Sequence, residues 1–267
     1  MLSGEQKAYF ETFGFIVLRG CFSADEIGRI SQQFDEVLAQ DRQGQPFDGV
    51  KRQAVLGFIE KRPLLSSLAE DDRIYRPIEQ LLGEGFVWIG SDGNLYVGDT
   101  PWHPDGSNLG YGRIKVAFYL DPVRAESGCL RVVPGSHREP LHSALATLRE
   151  RRDEPGLNST AFGVAQREIP SYPLESDPGD VVFFNQNTWH ASFGGRTGRR
   201  MFTLNFGAPP SAAEHVAYLE RTYQSNLEHV RRMQHTQSNR VYEDSFLQSD
   251  SPRIRGMVAK LVELGMR

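Results

Sequence analysis

Short apolar runs separated by turn residues are the feature of this sequence that most limits its fold. Such runs recur from Phe86 onward, with Gly, Pro and Asp clusters between them. They occupy residues 86–90, 94–97, 114–121, 130–133, 181–184 and 201–206. Several short strands with turn signals between them are typical of an antiparallel sandwich or barrel. We therefore predict a mainly β core with the architecture of a double-stranded β-helix, or jelly roll.

Helical signals precede this β core. Ser3 with Gln6, and Ser23 with Glu26, have the spacing of a capping box, in which two side chains satisfy backbone groups at the start of a helix. The apolar run at residues 15–18 predicts one buried strand between the two helices. The core is therefore expected to be wrapped by helices as well as strands.

The 267 residues are interpreted as a single domain, long enough to bury a large core. A polar, Arg-rich insert at residues 138–168, with a helix predicted near 141–152, interrupts the strands. Long inserts in compact domains are more often functional than not, so the insert is predicted to be a lid or a substrate wall. The predicted segments are a helical N-terminal support with one strand (1–85, including a loop at 41–54), the core (86–210) and a helical C-terminal segment (211–267).

Composition excludes several classes of protein. The net charge of −4 gives no electrostatic reason to expect nucleic acid as a partner. No apolar stretch is long enough to span a bilayer, and the N-terminal residues lack the apolar core of a signal peptide. Cys21 and Cys129 are too few for a disulfide scaffold. These features favour a cytoplasmic protein with no membrane partner.

Two histidines and an aspartate form the most informative side-chain pattern. His103 and Asp105 stand in Trp-His-Pro-Asp-Gly, and His190 stands in a later stretch of apparent strands. Residues i and i+2 of a strand point to the same side, so the first two can share one strand end. Two imidazoles and one carboxylate on one face of a metal leave the opposite face open, as in non-heme Fe(II) oxygenases. An arginine doublet, Arg199 and Arg200, then begins an apolar run, where a guanidinium could clamp a dicarboxylate.

Four stretches in order resemble the phytanoyl-CoA dioxygenase-like family of Fe(II)/2-oxoglutarate oxygenases, which includes ectoine hydroxylase. The resemblance covers roughly the central half of the chain. The four stretches are Trp-His-Pro-Asp (102–105), Glu-Ser-Gly-Cys-Leu-Arg-Val-Val-Pro-Gly-Ser-His (126–137), Pro-Gly-Asp-Val-Val-Phe-Phe (178–184) and residues 190–206.

The resemblance implies an enzyme that binds Fe(II) through His103, Asp105 and His190 and uses 2-oxoglutarate as co-substrate. Relatives that halogenate carry a small residue at the position of Asp105, so this chain is expected to hydroxylate or otherwise oxidise its substrate. The resemblance places Arg199 inside the core as the clamp for the far carboxylate of 2-oxoglutarate. Arg200 remains an alternative, because neighbouring strand residues point to opposite faces and the gap from His190 is shorter than in many members.

Further side chains are expected near the co-substrate. Lys115 has the strand parity of a position that lines the pocket in relatives, although an outward lysine on a half-exposed strand is an equal alternative. Asn94 and Thr203 are assigned to the same pocket, and Trp102 is expected to pack beside the metal. His137 is interpreted as a structural hydrogen-bonding residue. The histidines interpreted as surface residues are His142, His215, His229 and His235.

The substrate is predicted only as a small-molecule metabolite that reacts together with O2. Residues 41–54, 106–113 and 138–168 are expected to wall the site, and their composition with Lys115 favours a small polar, anionic compound. Two other functions remain open: a cupin-like metal enzyme that does not use 2-oxoglutarate, and a non-catalytic jelly-roll metal-binding protein. Neither requires an arginine directed into the core, so Arg199 distinguishes the three.

Overall fold

The computed structural model describes residues 1–106, 108–150, 160–232 and 240–267. Both predicted capping boxes are present, with the Ser3 and Ser23 side chains accepting hydrogen bonds from the backbone N–H groups of Gln6 and Glu26. The first helix ends at Gly14, whose φ of +83° lies in the left-handed region that favours glycine. The N-terminal helices are α1 (Gly4–Phe13), α2 (Ala24–Asp41), α3 (Pro63–Ser66) and α4 (Asp72–Leu82).

The strands in the described residues include every predicted run, and several that the sequence did not reveal. They are β1 (Phe15–Leu18), β2 (Gln53–Leu56), β3 (Val87–Tyr96), β4 (Thr100–His103), β5 (Arg113–Tyr119), β6 (Leu130–Val132), β7 (Thr160–Ala161), β8 (Val164–Ala165), β9 (Tyr172–Leu174), β10 (Val181–Asn185), β11 (His190–Ser192) and β12 (Arg199–Gly207). The loop predicted at residues 41–54 is present at 42–52, but β2 takes up its last two residues and adds a second strand before residue 86. Its short run forms a strand because it pairs with the edge of β3, where Val55 lies opposite Gly93.

Ten of these strands form two antiparallel sheets. The larger sheet has the order β1-β10-β5-β12-β3-β2, and the smaller has the order β4-β11-β6-β9. All the strand pairs in both sheets are antiparallel. The predicted jelly-roll architecture with flanking helices is confirmed.

Apolar side chains of both sheets meet in a shared core. Ala117 and Met201 from the larger sheet pack with Leu130, Val132 and Leu174 from the smaller one. Along β12 the odd-numbered side chains face this interior, whereas Phe202, Leu204 and Phe206 belong to the cluster on the opposite face. This alternation follows from the period of two residues in a strand.

Helices cover the opposite face of the larger sheet. Phe34 of α2 and Ile78 of α4 are fully buried in that cluster, with Phe118 and Phe202 of the sheet. Burial of large apolar side chains stabilises such a layer by roughly 1.5–3 kcal/mol for each residue. The larger sheet is therefore held rigid from behind while its other face remains available for a site.

The insert at residues 138–168 lies behind the smaller sheet. Its described part contains α5 (Leu141–Ala144), α6 (Thr147–Glu150) and the hairpin of β7 and β8, while residues 151–159 lie outside the described range. Leu145 and Leu148 pack against Trp102 and Trp189 on the outer face of that sheet. The expectation of a lid is therefore wrong for the described part of the insert. Its apolar side chains cover the outer face of the smaller sheet, which the shared core between the two sheets does not cover.

The C-terminal segment is helical, as predicted. It contains α7 (Ala213–Arg232), α8 (Asp244–Leu247) and α9 (Pro252–Glu263), and residues 233–239, which include His235, lie outside the described range. Ile254, Met257, Val258 and Leu261 of α9 join the cluster behind the larger sheet. Within the described residues, no helix is both long enough and apolar enough to cross a membrane.

Candidate metal centre

Two short strands bring the candidate histidines together. Strands β4 and β11 are antiparallel neighbours, and His103 lies directly opposite His190 in their register. The two imidazole ring centroids are 4.3 Å apart. Asp105 follows the end of β4 by two residues, which keeps its side chain on the same side as His103.

The three side chains converge at distances that suit a shared metal ion. One carboxylate oxygen of Asp105, Oδ1, lies 3.7 Å from Nε2 of His103, and the other, Oδ2, lies 3.6 Å from Nε2 of His190. A ligand atom from each of the three residues lies within 4.8 Å of the others. Two donors bound at about 2.1 Å to one ion are at most about 4.2 Å apart, so both histidine–aspartate separations fit a common ion.

Backbone carbonyl groups fix the orientation of both rings. Nδ1 of His103 lies 2.8 Å from the carbonyl oxygen of Pro101, and Nδ1 of His190 lies 2.8 Å from that of Thr188. A carbonyl oxygen only accepts hydrogen bonds, so each Nδ1 carries the proton and donates. In a neutral ring Nε2 then carries the lone pair, which is the arrangement that a metal ligand needs.

Charges around the triad favour a metal-binding protonation state. Burial alone would raise the pKa of Asp105, but the neighbouring Lys115 ammonium holds it well below its usual range. Burial, with the neighbouring His103, lowers the pKa of His190 to about 3. The centre therefore offers an ionised carboxylate and a neutral buried imidazole near neutral pH, which is the donor set of a divalent cation.

Arg199 lies in the wall of the cavity that the triad borders. The cavity has a volume of about 350 Å³, and Arg199 is only 2% exposed. Nη2 of this arginine donates to Oγ of Ser192 at 3.2 Å, but among the described residues Nε and Nη1 have no hydrogen-bond partner. Arg200 points to the opposite face of the sheet, where it pairs with Asp121 and Asp35.

Two glycines make room for the Arg199 guanidinium. A Cβ atom at Gly128 or at Gly195 would collide with its Nη1 atom. Gly128 also has a φ of +87°, a backbone conformation that side chains disfavour. Gly128 belongs to the Glu-Ser-Gly-Cys-Leu-Arg stretch of the sequence. The motif needs a glycine at this position because the Arg199 guanidinium occupies the space that a side chain would fill.

Comparison with known proteins settles the family. A family model described as phytanoyl-CoA dioxygenase (PhyH) matches residues 10–202. The chain belongs to this family. The matched range contains the three candidate metal ligands and Arg199.

Relatives of the family are similar over most of the chain. A probable phytanoyl-CoA dioxygenase of Caenorhabditis elegans is 22% identical over 228 residues, which cover 74% of this chain and 72% of the relative. An ectoine dioxygenase of Sphingopyxis alaskensis is 27% identical over 226 residues, covering 73% of this chain and 72% of the relative. The crystal structure of EctD from S. alaskensis with bound Fe superimposes with a TM-score of 0.58 at 25% identity, covering 78% of this chain and 77% of that one. The family resemblance predicted from the motifs is confirmed.

The other side chains assigned to the pocket from the sequence lie in different environments. Lys115 and Thr203 line the cavity, and Nζ of Lys115 lies 2.7 Å from Oδ2 of Asp105. The Asn94 side-chain oxygen accepts hydrogen bonds from Nε and Nη2 of Arg52 at 2.9 and 2.6 Å. Trp102 lies in the apolar cluster behind the smaller sheet, where its indole N–H donates to the carbonyl of Gln166 at 2.8 Å.

Several residues of the cavity were not identified from the sequence. Asp92 lines it from β3, Arg52 lines it from just before β2, and His229 lines it from α7. His229 is exposed, as predicted, but it lies at the mouth of the cavity. No local sequence pattern marks these three positions, because they come from separate parts of the chain. Only tertiary packing brings them, and α7 in particular, to the cavity. His137 is buried and its Nε2 lies 3.2 Å from the carbonyl of Glu11, in agreement with a structural role.

Proposed function

We propose that this member of the phytanoyl-CoA dioxygenase family is an Fe(II)- and 2-oxoglutarate-dependent dioxygenase that oxidises a small-molecule metabolite. The observation that carries the proposal is the buried guanidinium of Arg199. Burying a charged group costs free energy when its hydrogen-bond donors have no partner, unless an anion accepts those hydrogen bonds and balances the charge. Its position in the same cavity as His103, Asp105 and His190 fits a co-substrate with one end on the metal and a carboxylate at the other.

His103, Asp105 and His190 would hold the iron. When bound, Fe(II) and 2-oxoglutarate would allow O2 to act as the oxidant: 2-oxoglutarate would give up two electrons in becoming succinate and CO2, with one oxygen atom entering the succinate and the other entering the substrate. The Pro101 and Thr188 carbonyls keep the two Nε2 atoms directed at the centre. These outer contacts set the tautomer and hold the rings in place before the metal arrives.

Lys115 is a positioning residue for the carboxylate ligand. Its Nζ binds Oδ2 of Asp105, which fixes the plane of the carboxylate and keeps it ionised. Burial opposes the charge of Lys115, but the carboxylates of Asp105 and Asp92 raise its pKa and so keep it cationic. The lysine therefore acts on the metal through Asp105, and it also contributes positive charge to the cavity.

Arg199 is assigned the far carboxylate of 2-oxoglutarate, with two parallel hydrogen bonds as its planar fork allows. Thr203 lines the same cavity and is positioned by Asp92, which accepts a hydrogen bond from its hydroxyl group. Asn94 contributes through Arg52, which it holds at the cavity wall. Trp102 contributes by anchoring the strand that carries His103.

The two alternatives predict a different outcome for one variant. A cupin-like enzyme that does not use 2-oxoglutarate, or a non-catalytic metal-binding protein, would not depend on Arg199. We expect Arg199→Ala to weaken 2-oxoglutarate binding by the equivalent of about 2–5 kcal/mol, the cost of losing one side of a buried charged contact. The measurement is the visible absorption band of the anaerobic Fe(II)–2-oxoglutarate complex during a titration, which requires no knowledge of the substrate.

Arg200→Ala is the matched control for this experiment. It removes a guanidinium from the same strand, but on the face where Asp121 and Asp35 bind it. Its affinity for 2-oxoglutarate should stay within about twofold of the unmodified protein, since surface ion pairs contribute little. Equal binding by both variants, or no absorption band with the unmodified protein, would remove 2-oxoglutarate from the proposal.

A further inference from the structure

A second cavity adjoins the metal centre. It has a volume of about 400 Å³ and shares Asp105 and Lys115 with the first cavity. Its walls come from the larger sheet, through Arg113 and Asn205, and from α7, through Arg221. A molecule in the second cavity would therefore reach the metal centre without leaving the protein.

Arg113 is a deeply buried cation in this second cavity. It is 6% exposed, and its Nη2 donates to the backbone carbonyl of Asp105 at 3.2 Å. Its guanidinium also lies 4.9 Å from the centre of the Tyr218 ring. In the part of the chain that the structure describes, no carboxylate lies within ion-pair distance of Arg113. A backbone carbonyl and an aromatic ring compensate a buried positive charge only in part.

Arg221 brings a second guanidinium to the same place. It lies on the exposed side of α7, 5.9 Å from the centre of the same Tyr218 ring. Over the described ranges it too forms no ion pair. Two arginines from distant parts of the chain therefore lie near one aromatic ring in the lining of one cavity.

The acidic side chains in the second cavity already have partners. Asp105 pairs with Lys115 and belongs to the metal triad. Asp92 accepts hydrogen bonds from the side chains of Thr203 and Asn94. Asp105 still acts on Arg113 through its charge, but it is already held by Lys115, and a divalent cation at the triad would offset that charge and make the cavity more positive.

We propose that the primary substrate carries an anionic group, a carboxylate or a phosphate, which Arg113 and Arg221 bind in the second cavity. The inference rests on the proposed function and names the substrate class of that same site. Guanidinium groups bind carboxylate and phosphate oxygens through paired hydrogen bonds, and the low exposure of Arg113 strengthens each bond. The rest of such a substrate extends past Lys115 toward the metal.

The remaining wall favours a polar molecule over a long hydrocarbon. The Gln186 amide N–H donates to Oδ1 of Asn205 at 2.9 Å, and both side chains line the cavity with Thr222. Long apolar chains bind best where apolar side chains dominate the lining. Together with the two arginines, these amide and hydroxyl groups indicate a small, polar, negatively charged metabolite.

Paired probes test this assignment on the protein loaded with Fe(II) and 2-oxoglutarate under anaerobic conditions. Butyrate is compared with butyramide, and glycerol 3-phosphate with glycerol, by calorimetric titration. Saturating 2-oxoglutarate occupies Arg199, so charged probes report on the second cavity. We expect one of the anions to bind at least ~10-fold more tightly than its neutral partner, because a hydrogen bond to a charged group contributes more than one between neutral groups. The pair that shows the preference separates a carboxylate site from a phosphate site.

Three variants identify the residues that cause the preference. Arg113→Gln should abolish the preference for the anion, and Arg221→Gln should reduce it about threefold, since an exposed charge contributes less than a buried one. Arg231→Gln is the control, because it removes an exposed arginine from the same helix that lines neither cavity. If Arg113→Gln does not fold, Arg221→Gln decides, and an unchanged preference in that variant overturns the proposal.

Failure of this inference is distinguishable from failure of the proposed function. Formation of the 2-oxoglutarate band without any preference for anionic probes overturns the anion site and leaves the dioxygenase proposal standing. Absence of the band, with a preference for anions that Arg113→Gln abolishes, overturns the dioxygenase proposal and supports the anion site.

Discussion

The two sheets contribute to the site in different ways. The smaller sheet supplies His103 and His190 from strands of four and three residues, and their convergence depends on pairing between those strands. The larger sheet supplies Lys115 and Arg199 from strands of seven and nine residues. The smaller sheet therefore provides the two candidate histidine ligands, and the larger sheet provides charged side chains that line the same cavity. The two faces of the smaller sheet differ as well: the inner face carries the two histidines, and the outer face packs against the insert at residues 138–168.

The largest expected effect concerns the inner face of the smaller sheet. His190→Ala removes one of three protein ligands, and we expect metal affinity to fall by more than ~100-fold, beyond the loss typical of mutations in outer contacts. Calorimetric titration with Fe(II) or a redox-stable divalent ion measures it. His229→Ala, which changes an exposed histidine at the cavity mouth, should keep its affinity. Equal losses in both variants would contradict the assignment of the triad.

The second prediction asks whether the larger sheet acts on the metal as well. Lys115→Met keeps most of the side-chain length and removes the charge that holds Oδ2 of Asp105. We expect metal affinity to fall ~10- to 100-fold, the range for loss of an outer contact to a ligand. Lys260→Met, which breaks an exposed pair with Glu263 on α9, is the control. A rise in the 2-oxoglutarate dissociation constant with unchanged metal affinity would instead assign Lys115 to the co-substrate.

The smallest effect is expected from the outer face of the smaller sheet. Trp102→Phe removes the indole N–H that binds the Gln166 carbonyl and should lower the free energy of unfolding by about 1 kcal/mol. Denaturant titration measures this loss. Metal affinity should stay within about twofold, because the indole packs with Phe193 away from the cavity. A metal affinity that falls as far as in Lys115→Met would place Trp102 in the metal centre after all.

The difference between the sheets also explains what could be predicted from the sequence. Both faces of β5 and β12 are covered, so these strands appear in the sequence as long, mainly apolar runs and were identified, as was the architecture built on them. The family motifs drew attention to His103, Asp105 and His190, although β4 and β11 themselves are too short to show a pattern. Strand β2 escaped prediction because its neighbours are polar and its stability depends on pairing with β3.

Contacts between distant segments could not be predicted. Arg113 and Arg221 have no pattern in common, and only the packing of α7 against the larger sheet brings them to one tyrosine ring. The insert at residues 138–168 was expected to cover the site because long inserts often do. In the described part of the insert, the apolar side chains instead pack against the outer face of the smaller sheet, away from the site.

The position of α7 has a consequence for how substrate range can change. The family match ends at residue 202, so the helix that walls the second cavity begins after the matched range. The candidate metal ligands and Arg199 lie before that boundary, on the two sheets or directly after β4. A chimaera that exchanges residues 213–232 for those of a relative would change the α7 wall of the second cavity and leave the candidate metal ligands and Arg199 unchanged. The two halves of the proposed anion site therefore differ in origin: Arg221 would change with that helix, whereas Arg113 lies on β5 within the matched range and would stay.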